Sequence, residues 1–381
     1  MTDPRLVLVT LVAASVVGAQ EPPPVAPVFP STAEIVTIDV VVTDEKGAPV
    51  AGLGRDDFVI REDGQSQSLT LFDPIARSVE PAPAVSIARA SVADNVAPSR
   101  ERPLLLVAFD EPHLTPAGVE RARNELQKLP DHPELRGSDV VLVSTAGGGS
   151  WLARLPEGAP DLLAALARFR GLRPIIASGR IKDYEAFQIA ARRNEQVLTQ
   201  VYRRYMDWRL LPDITSPSKS MRGYQSDESA QKPAAAQNSI MVEAEMRWQD
   251  IRKRQAATVA GLTRVLASLD PRGRKALLLI TEGFIQESAA PDYRDLAEAA
   301  RRAHAALHVV DPRDSGRLFA DEADNASSVD SRDHLALMAR ELKSAEGADA
   351  LAAATGGRVL RNLPGLPAEL ERLGSELRTY Y

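Results

Sequence analysis

The apolar run Leu104-Leu105-Leu106-Val107-Ala108-Phe109, followed at once by Asp110-Glu111, decides the fold of this 381-residue chain. A continuous apolar run of this length is typical of a strand that is buried on both faces of a parallel sheet. Similar runs stand at Val140–Val143, Ala276–Ile280 and Leu307–Val310, with a shorter one at Arg358–Leu360. The sequence therefore predicts a sheet of at least five buried strands.

Helical patterns separate these strands along the chain. They are predicted at Pro116–Leu129, Asp161–Phe169, Tyr293–Ala306, His334–Leu342 and Pro367–Leu377. Strands that alternate with helices indicate an α/β protein with a doubly wound, mostly parallel sheet. We predict this domain over residues 102–381.

An insert interrupts the alternation at about residues 175–270. Two helices are predicted there, at Ile181–Leu211 and Ile240–Leu269, because apolar and aromatic residues recur in them at helical spacing. The segment between them, Pro212–Ser239, is rich in Ser, Pro, Gln and Ala. That composition predicts a disordered connection.

The first hundred residues divide into four shorter segments. Residues 1–19 carry an apolar core of signal-peptide length ending in small residues, and residues 20–33 form a proline-rich spacer. Residues 34–77 predict a small β unit with strands at Glu34–Thr43, Phe58–Ile60 and Leu69–Phe72, and residues 78–101 form a linker. We expect export to the periplasm or the medium with a mature start near Gln20; an uncleaved anchor is the alternative.

Composition excludes several classes of function. Cysteine is absent, which removes disulfides, thiolate metal sites and thiol nucleophiles. The net charge of -6 argues against a nucleic-acid partner. No segment after the first approaches the roughly 20 apolar residues of a membrane helix, so no membrane span is expected after signal cleavage.

Acidic and hydroxyl side chains follow the predicted strands at the sheet edge where ligands bind in such folds. Asp110, Glu111 and His113 follow the first strand, Thr145 follows the second, and Glu282 follows the third. Oxygen ligands of this kind suit Mg²⁺ or Ca²⁺. The alternatives are that Asp110 caps the next helix and that His113 is an ordinary surface side chain.

Several segments, in this order, resemble the VWFA-related (acidobacterial-type) family of exported bacterial proteins, whose main domain has the von Willebrand factor A fold. They are Val40-Val41-Val42-Thr43-Asp44, Glu62-Asp63-Gly64, Leu104–Asp110, Gly273-Arg274-Lys275, Thr281-Glu282-Gly283, Val310-Asp311-Pro312-Arg313, Ala354-Thr355-Gly356-Gly357 and Tyr380-Tyr381. The resemblance covers almost the whole mature chain except the insert. It implies a Rossmann-like A-type domain with a small β unit before it.

The A-type fold often carries a metal-ion-dependent adhesion site, and the resemblance implies that this one is degenerate. Pro112 and Leu114 stand where the family pattern has two serines, and Glu282 stands where it has an aspartate. The loop threonine corresponds to Thr145 or Thr115. We therefore expect no resident cofactor and no tight metal; if a metal binds, it is weakly held Mg²⁺ or Ca²⁺ on Asp110 and Glu282.

Three functions remain open from the sequence. The first is a non-enzymatic domain that binds or scaffolds another protein through the sheet edge or the insert. The second is a metal-assisted hydrolase that uses Asp110, Glu111, His113 and Glu282. The third is a structural component of the cell envelope.

The end of the sequence carries one more expectation. A helix at Leu366–Thr379 runs into Tyr380-Tyr381, which has the character of a strand that has just begun. In the family it resembles, a tyrosine-rich strand follows here and adds to the main sheet. We expect either that the chain continues or that this strand is lost, leaving the sheet edge open.

Overall fold

The computed structural model describes residues 36–77, 102–147, 149–174, 176, 180–210, 228–283, 285, 291–313, 346–361 and 363–381. The predicted signal peptide, the spacer, the linker at 78–101 and the predicted helix at His334–Leu342 lie outside these residues.

One six-stranded sheet forms the centre of the main domain. The strands of the chain are β1 (Ile60–Glu62), β2 (Gln65–Gln67), β3 (Ile75–Ala76), β4 (Leu104–Phe109), β5 (Asp139–Ser144), β6 (Ser150–Arg154), β7 (Lys275–Ile280), β8 (Ala305–Val310), β9 (Val359–Leu360) and β10 (Thr379–Tyr380). The order across the sheet is β6-β5-β4-β7-β8-β9. All neighbours are parallel except β6, which pairs with β5 as an antiparallel edge strand.

Helices cover both faces of this sheet. They are α1 (Pro116–Leu126), α2 (Ala159–Leu166), α3 (Asp183–Ala190), α4 (Glu195–Asp207), α5 (Glu228–Ala267), α6 (Pro291–Arg302), α7 (Glu346–Ala354) and α8 (Leu366–Glu376). The helices α1, α2 and α8 pack on one face, while α6, α7 and the second half of α5 pack on the other. Because strand side chains alternate between faces, Leu105 and Val107 belong to the first core and Leu104 and Leu106 to the second. The predicted α/β doubly wound fold is confirmed.

The strand order reverses between β4 and β7, the two central strands. The chain moves outward from β4 through β5 to β6, then returns to the other side of β4 and continues outward through β8 and β9. In doubly wound sheets a ligand binds beyond the carboxyl ends of the strands at this reversal point. Asp110 and Thr281 directly follow the two strands concerned, since β4 ends at Phe109 and β7 at Ile280.

The small β unit differs from its predicted form. The described part of Glu34–Thr43 forms only one isolated bridge, Thr43 to Pro49, and residues 69–72 form no strand. Two short pairs are present instead, β1 with β2 and β3 with β10. These few residues have too little apolar area for regular strands of their own, so the unit depends on packing against the rest of the chain.

The C-terminal tyrosines provide that packing. Tyr381 exchanges two backbone hydrogen bonds with Val40, both of 2.9 Å, and its ring lies 5.1 Å from that of Phe58 and 5.9 Å from that of Phe72. Tyr380 pairs with Ile75 in an antiparallel register. The expectation that these residues begin a strand of the main sheet is therefore wrong, because they complete the core of the small β unit.

The insert also differs from its prediction. Two helices, α3 and α4, replace the single helix expected at Ile181–Leu211, because Arg193 adopts a positive φ of 53° and the Asn194 side chain caps α4. The predicted disorder of Pro212–Ser239 is wrong for residues 228–239, which form the first turns of α5. Alanines favour helix here, and the packed remainder of α5 makes extension cooperative. Residues 211–227 lie outside the described part.

The helix α5 joins the insert to the main domain. Its 40 residues extend about 60 Å at 1.5 Å per residue. Ile240, Ala244 and Trp248 pack against α3 and α4, whereas Leu262 and Leu266 pack on the sheet. The insert therefore has a core of its own and stands beyond the carboxyl edge of the sheet on a continuous helix.

Candidate functional site

Asp110 lies at the reversal point of the sheet and is fully buried. Thr258 donates its hydroxyl to Oδ1 of this carboxylate and Thr281 donates to Oδ2, each over 2.7 Å. Nδ1 of His113 lies 2.8 Å from Oδ1, and the Thr145 hydroxyl lies at 3.5 Å. The structure thus brings Asp110, His113 and Thr145 together, with both carboxylate oxygens accepting hydrogen bonds from the same chain.

Asp110 does not cap the next helix. Its side chain makes no capping bond to the short 3-10 turn at Glu111–His113, and α1 is capped by Thr115, whose hydroxyl accepts the Gly118 amide over 3.0 Å. The capping alternative for Asp110 is therefore wrong. The predicted place of Pro116 at the first helical position is confirmed.

Glu111 points into a different network. Its carboxylate accepts the Ser144 hydroxyl and, over 3.1 Å, the backbone amide of Arg170. Its backbone carbonyl accepts the amide of Leu172 over 2.8 Å. Glu111 therefore fastens the segment at 170–172 over the end of β4, and it is 7 % exposed.

Glu282 occupies the N-terminus of α1. Thr115 donates its hydroxyl to Oε1 over 2.6 Å, and a Cβ added at Gly118 would lie 1.9 Å from the same oxygen. The first turn of a helix exposes unsatisfied amides and a partial positive charge, so it stabilises an anion. The chain thus fills with its own carboxylate the position where doubly wound folds receive an anionic group.

A chain of alternating charges leads from Glu282 into the insert. Arg173 lies 3.4 Å from Glu282 Oε2 and 3.0 Å from Asp183 on α3. Asp183 also pairs with Arg247 on α5 over 2.7 Å. Burial alone would raise the pKa of Asp183, but the guanidinium groups of Arg173 and Arg247 outweigh burial and hold its pKa below the usual value.

Two further contacts from α5 close the edge of the sheet. Arg254 donates to the backbone carbonyl of Pro112 over 3.3 Å, and Gln255 donates to that of Ile285 over 3.1 Å. Leu114, which takes the place of the second serine of the adhesion-site pattern, is fully buried in the core beside α1. Side chains of the insert and of the core therefore occupy the space in front of the strands.

Several of these residues escaped sequence analysis. Thr258 lies 148 positions from Asp110 on a helix that the sequence assigns to the insert. Arg173, Asp183 and Arg247 carry no motif either. The position of Thr281 at the end of β7 is a usable signal, since a residue directly after an apolar run falls on this edge.

The three candidate acids do not share a ligand position. Asp110, Glu111 and Glu282 each accept hydrogen bonds in a separate network. Within the described residues, no group of three or more His, Asp or Glu side chains is arranged to hold a metal ion. The convergence of these acids that the hydrolase hypothesis requires is therefore not seen in the described part of the chain.

Comparison with known proteins adds little to this geometry. No protein-family model matches the sequence, and no curated protein matches it. The chain is similar to the crystal structure of the TFIIH p34 N-terminal domain at 15 % identity, covering 71 % of this chain and 97 % of that one, with a TM-score of 0.25. Among the described helices, none is both long enough and apolar enough to span a membrane. The assignment to the α/β doubly wound class rests on the strand order.

Proposed function

We propose that this chain is an exported, non-enzymatic protein of the von Willebrand factor A type that binds another protein through its helical insert. The observation that carries the proposal is the filled edge of the sheet. Asp110 accepts hydrogen bonds from Thr258 and Thr281, and Glu282 accepts one from Thr115 at the N-terminus of α1. A ligand at this edge would have to break these hydrogen bonds to charged groups, which contribute about 1.5–3 kcal/mol each.

The insert offers an alternative binding surface. Met206 and Trp208 at the end of α4 are 51 % and 43 % exposed, and Val242 and Met246 on α5 are 52 % and 63 % exposed. The two α5 residues lie on the face turned away from the insert core, about 200° (Val242) and about 240° (Met246) around the helix from Ile240. Exposed tryptophan and methionine side chains are typical of the centres of protein interfaces.

The same contacts support a degenerate adhesion site. A metal on Asp110 needs free carboxylate lone pairs and neutral oxygen ligands. Hydroxyl groups and an imidazole already use both oxygens of Asp110, and Leu114 stands in the core where the pattern needs a serine. The family resemblance and the apolar segment at 1–19 support export.

Site-directed photo-cross-linking tests this proposal. A photoreactive residue is introduced at Met246 on the insert, at Leu172 beside the sheet edge, or at Arg302 on α6, and the full chain is irradiated in envelope extract with and without Mg²⁺. Leu172 is 55 % exposed and the Arg302 side chain 73 %, so all three positions reach solvent.

We expect a discrete cross-linked protein from Met246, independent of Mg²⁺, and none from Arg302. Adducts from Leu172 alone, or adducts that require Mg²⁺, would indicate a binding site at the edge of the sheet and contradict the proposal.

A further inference from the structure

A buried histidine lies beneath the last helix, on a strand two places from β4 in the sheet. His308 is 1 % exposed and belongs to β8. Its neighbours Leu307 and Val309 face the core that contains α5, so the imidazole points to the opposite face, where α8 packs. The contacts of this ring define two exclusive arrangements.

The first arrangement requires a neutral ring. The backbone amide of Arg358 donates to Nδ1 of His308 over 3.3 Å. An acceptor nitrogen carries no hydrogen, so the proton of the neutral imidazole sits on Nε2. Nε2 is buried and has no hydrogen-bond partner among the described residues.

The second arrangement requires a protonated ring. Oε1 of Glu369 on α8 lies 3.5 Å from the same Nδ1. A proton on Nδ1 would turn this contact into a charge-assisted bond, but the ring could then no longer accept the Arg358 amide. Nδ1 can therefore either accept the Arg358 amide, when the ring is neutral, or donate to Glu369, when the ring is protonated.

The carboxylates around the ring have guanidinium partners already while the imidazole is neutral. Arg358 pairs with both Glu369 and Glu376, each over 2.8 Å, and Arg274 lies 3.8 Å from Glu376. Arg372 adds a weaker contact to Glu369 at 3.9 Å. A proton on the ring would add a buried positive charge to a layer whose carboxylates already have partners.

The ionisation of these groups agrees with the geometry. Burial lowers the pKa of His308 and, together with the Arg358 guanidinium, outweighs the contact with Glu369, which raises it. Burial would raise the pKa of Glu369, but the contacts with His308 and Arg358 outweigh burial and hold it below the usual value. Near neutral pH the layer therefore contains a neutral imidazole beside an ionised carboxylate.

The helix α8, which carries Glu369 and Glu376, is also connected to the small β unit. Immediately after α8, the Arg378 carbonyl accepts the Arg77 amide over 2.9 Å, and Tyr380 and Tyr381 complete the pairing and core described above. Displacement of α8 from β8 would therefore withdraw the residues that fasten the small β unit to the main domain.

We propose that His308 is an acid-sensitive latch, which holds α8 and the small β unit in place when neutral and loosens both when protonated. On acidification, Nδ1 of His308 loses the hydrogen bond that it accepts from the Arg358 amide and donates to Glu369 instead. The protonated ring also adds a positive charge under α8. The segments at 366–381 and 39–77 then open more often, while the rest of the sheet is unaffected.

A second histidine contacts the small β unit, and its contribution has to be separated from that of the first. Nδ1 of His304 lies 2.8 Å from Oδ2 of Asp39. The substitution His304→Asn removes that pair, and His308→Asn keeps an acceptor for the Arg358 amide while removing the titration.

Hydrogen exchange and nitrogen NMR of the full chain test the latch. We expect the wild-type ring of His308 to be the Nε2–H tautomer at pH 7.5. We also expect the protection factors of residues 366–381 and 39–77, corrected for intrinsic exchange, to fall below about pH 6.5 by at most tenfold per pH unit. The His304→Asn variant should retain this fall, and residues 116–126 of α1 serve as the internal reference.

Adding His308→Asn to the His304→Asn variant should give protection in both segments that does not depend on pH. Equal pH dependence in that variant and in the wild type would overturn the proposal. An Nδ1–H tautomer at pH 7.5 in the wild type would also overturn it, and that measurement does not depend on whether the variant folds.

Discussion

Replacement of Thr258 by valine isolates the contact through which the insert closes the sheet edge. Valine keeps the β-branched shape and removes only the hydroxyl that donates to Asp110 over 2.7 Å. Hydrogen bonds to charged groups contribute about 1.5–3 kcal/mol. His113 still contacts the same oxygen at 2.8 Å, so we expect a loss near the lower end, about 1.5–2 kcal/mol.

Thr263 provides the matched control on the same helix. Its hydroxyl donates to the backbone carbonyl of Val259 over 2.8 Å, a bond within α5 that solvent can replace. Urea unfolding of the two valine variants should give a loss of about 1.5–2 kcal/mol for Thr258 and less than about 0.5 kcal/mol for Thr263. Equal losses would refute the reasoning that Asp110 depends on the insert.

Three other predictions concern separate parts of the fold. The variant Gly118→Ala should lose about 1–3 kcal/mol in urea unfolding, because the new Cβ meets Glu282; a gain, as alanine usually gives within a helix, would contradict the packing. Tyr381→Phe should lower hydrogen-exchange protection at residues 50–53, because the Tyr381 hydroxyl donates to Val50 O over 2.8 Å and accepts the Leu53 amide over 3.1 Å; unchanged protection would refute that role. Burial lowers the pKa of Lys275 to about 8 from 10.5, so the unfolded chain binds more protons between these values and stability should rise with pH there. A Lys275→Met variant with the same rise would show that other groups cause it.

The sheet could be predicted because burial on both faces leaves a simple signal. Each central strand is an unbroken apolar run, and a residue directly after such a run falls on the ligand edge of the sheet. That rule locates Asp110 from the sequence alone, and it locates Glu282 approximately, one position after Thr281. The glycines at 147–149 indicate a hairpin or a strand-exit loop from the sequence, and in the structure β5 and β6 pair as antiparallel neighbours.

The partners of those residues could not be predicted, because they depend on packing between distant segments. Thr258 reaches Asp110 only because α5 lies against the sheet, and Glu282 faces Thr115 only because Gly118 has no side chain. The role of Tyr381 was missed for the same reason. In the sequence, two tyrosines at the end of the chain have the pattern of a strand fragment. Only the structure reveals the aromatic rings of the small β unit that surround Tyr381.

Calorimetric titration of the full chain with Mg²⁺ tests the central claim, that the chain's own side chains fill the carboxyl edge of the sheet. With both Asp110 oxygens accepting hydrogen bonds and Glu282 held at α1, we predict no saturable heat up to millimolar Mg²⁺. Saturable binding with a dissociation constant in the low micromolar range, lost in Asp110→Asn, would contradict the account and indicate a metal site at the edge of the sheet.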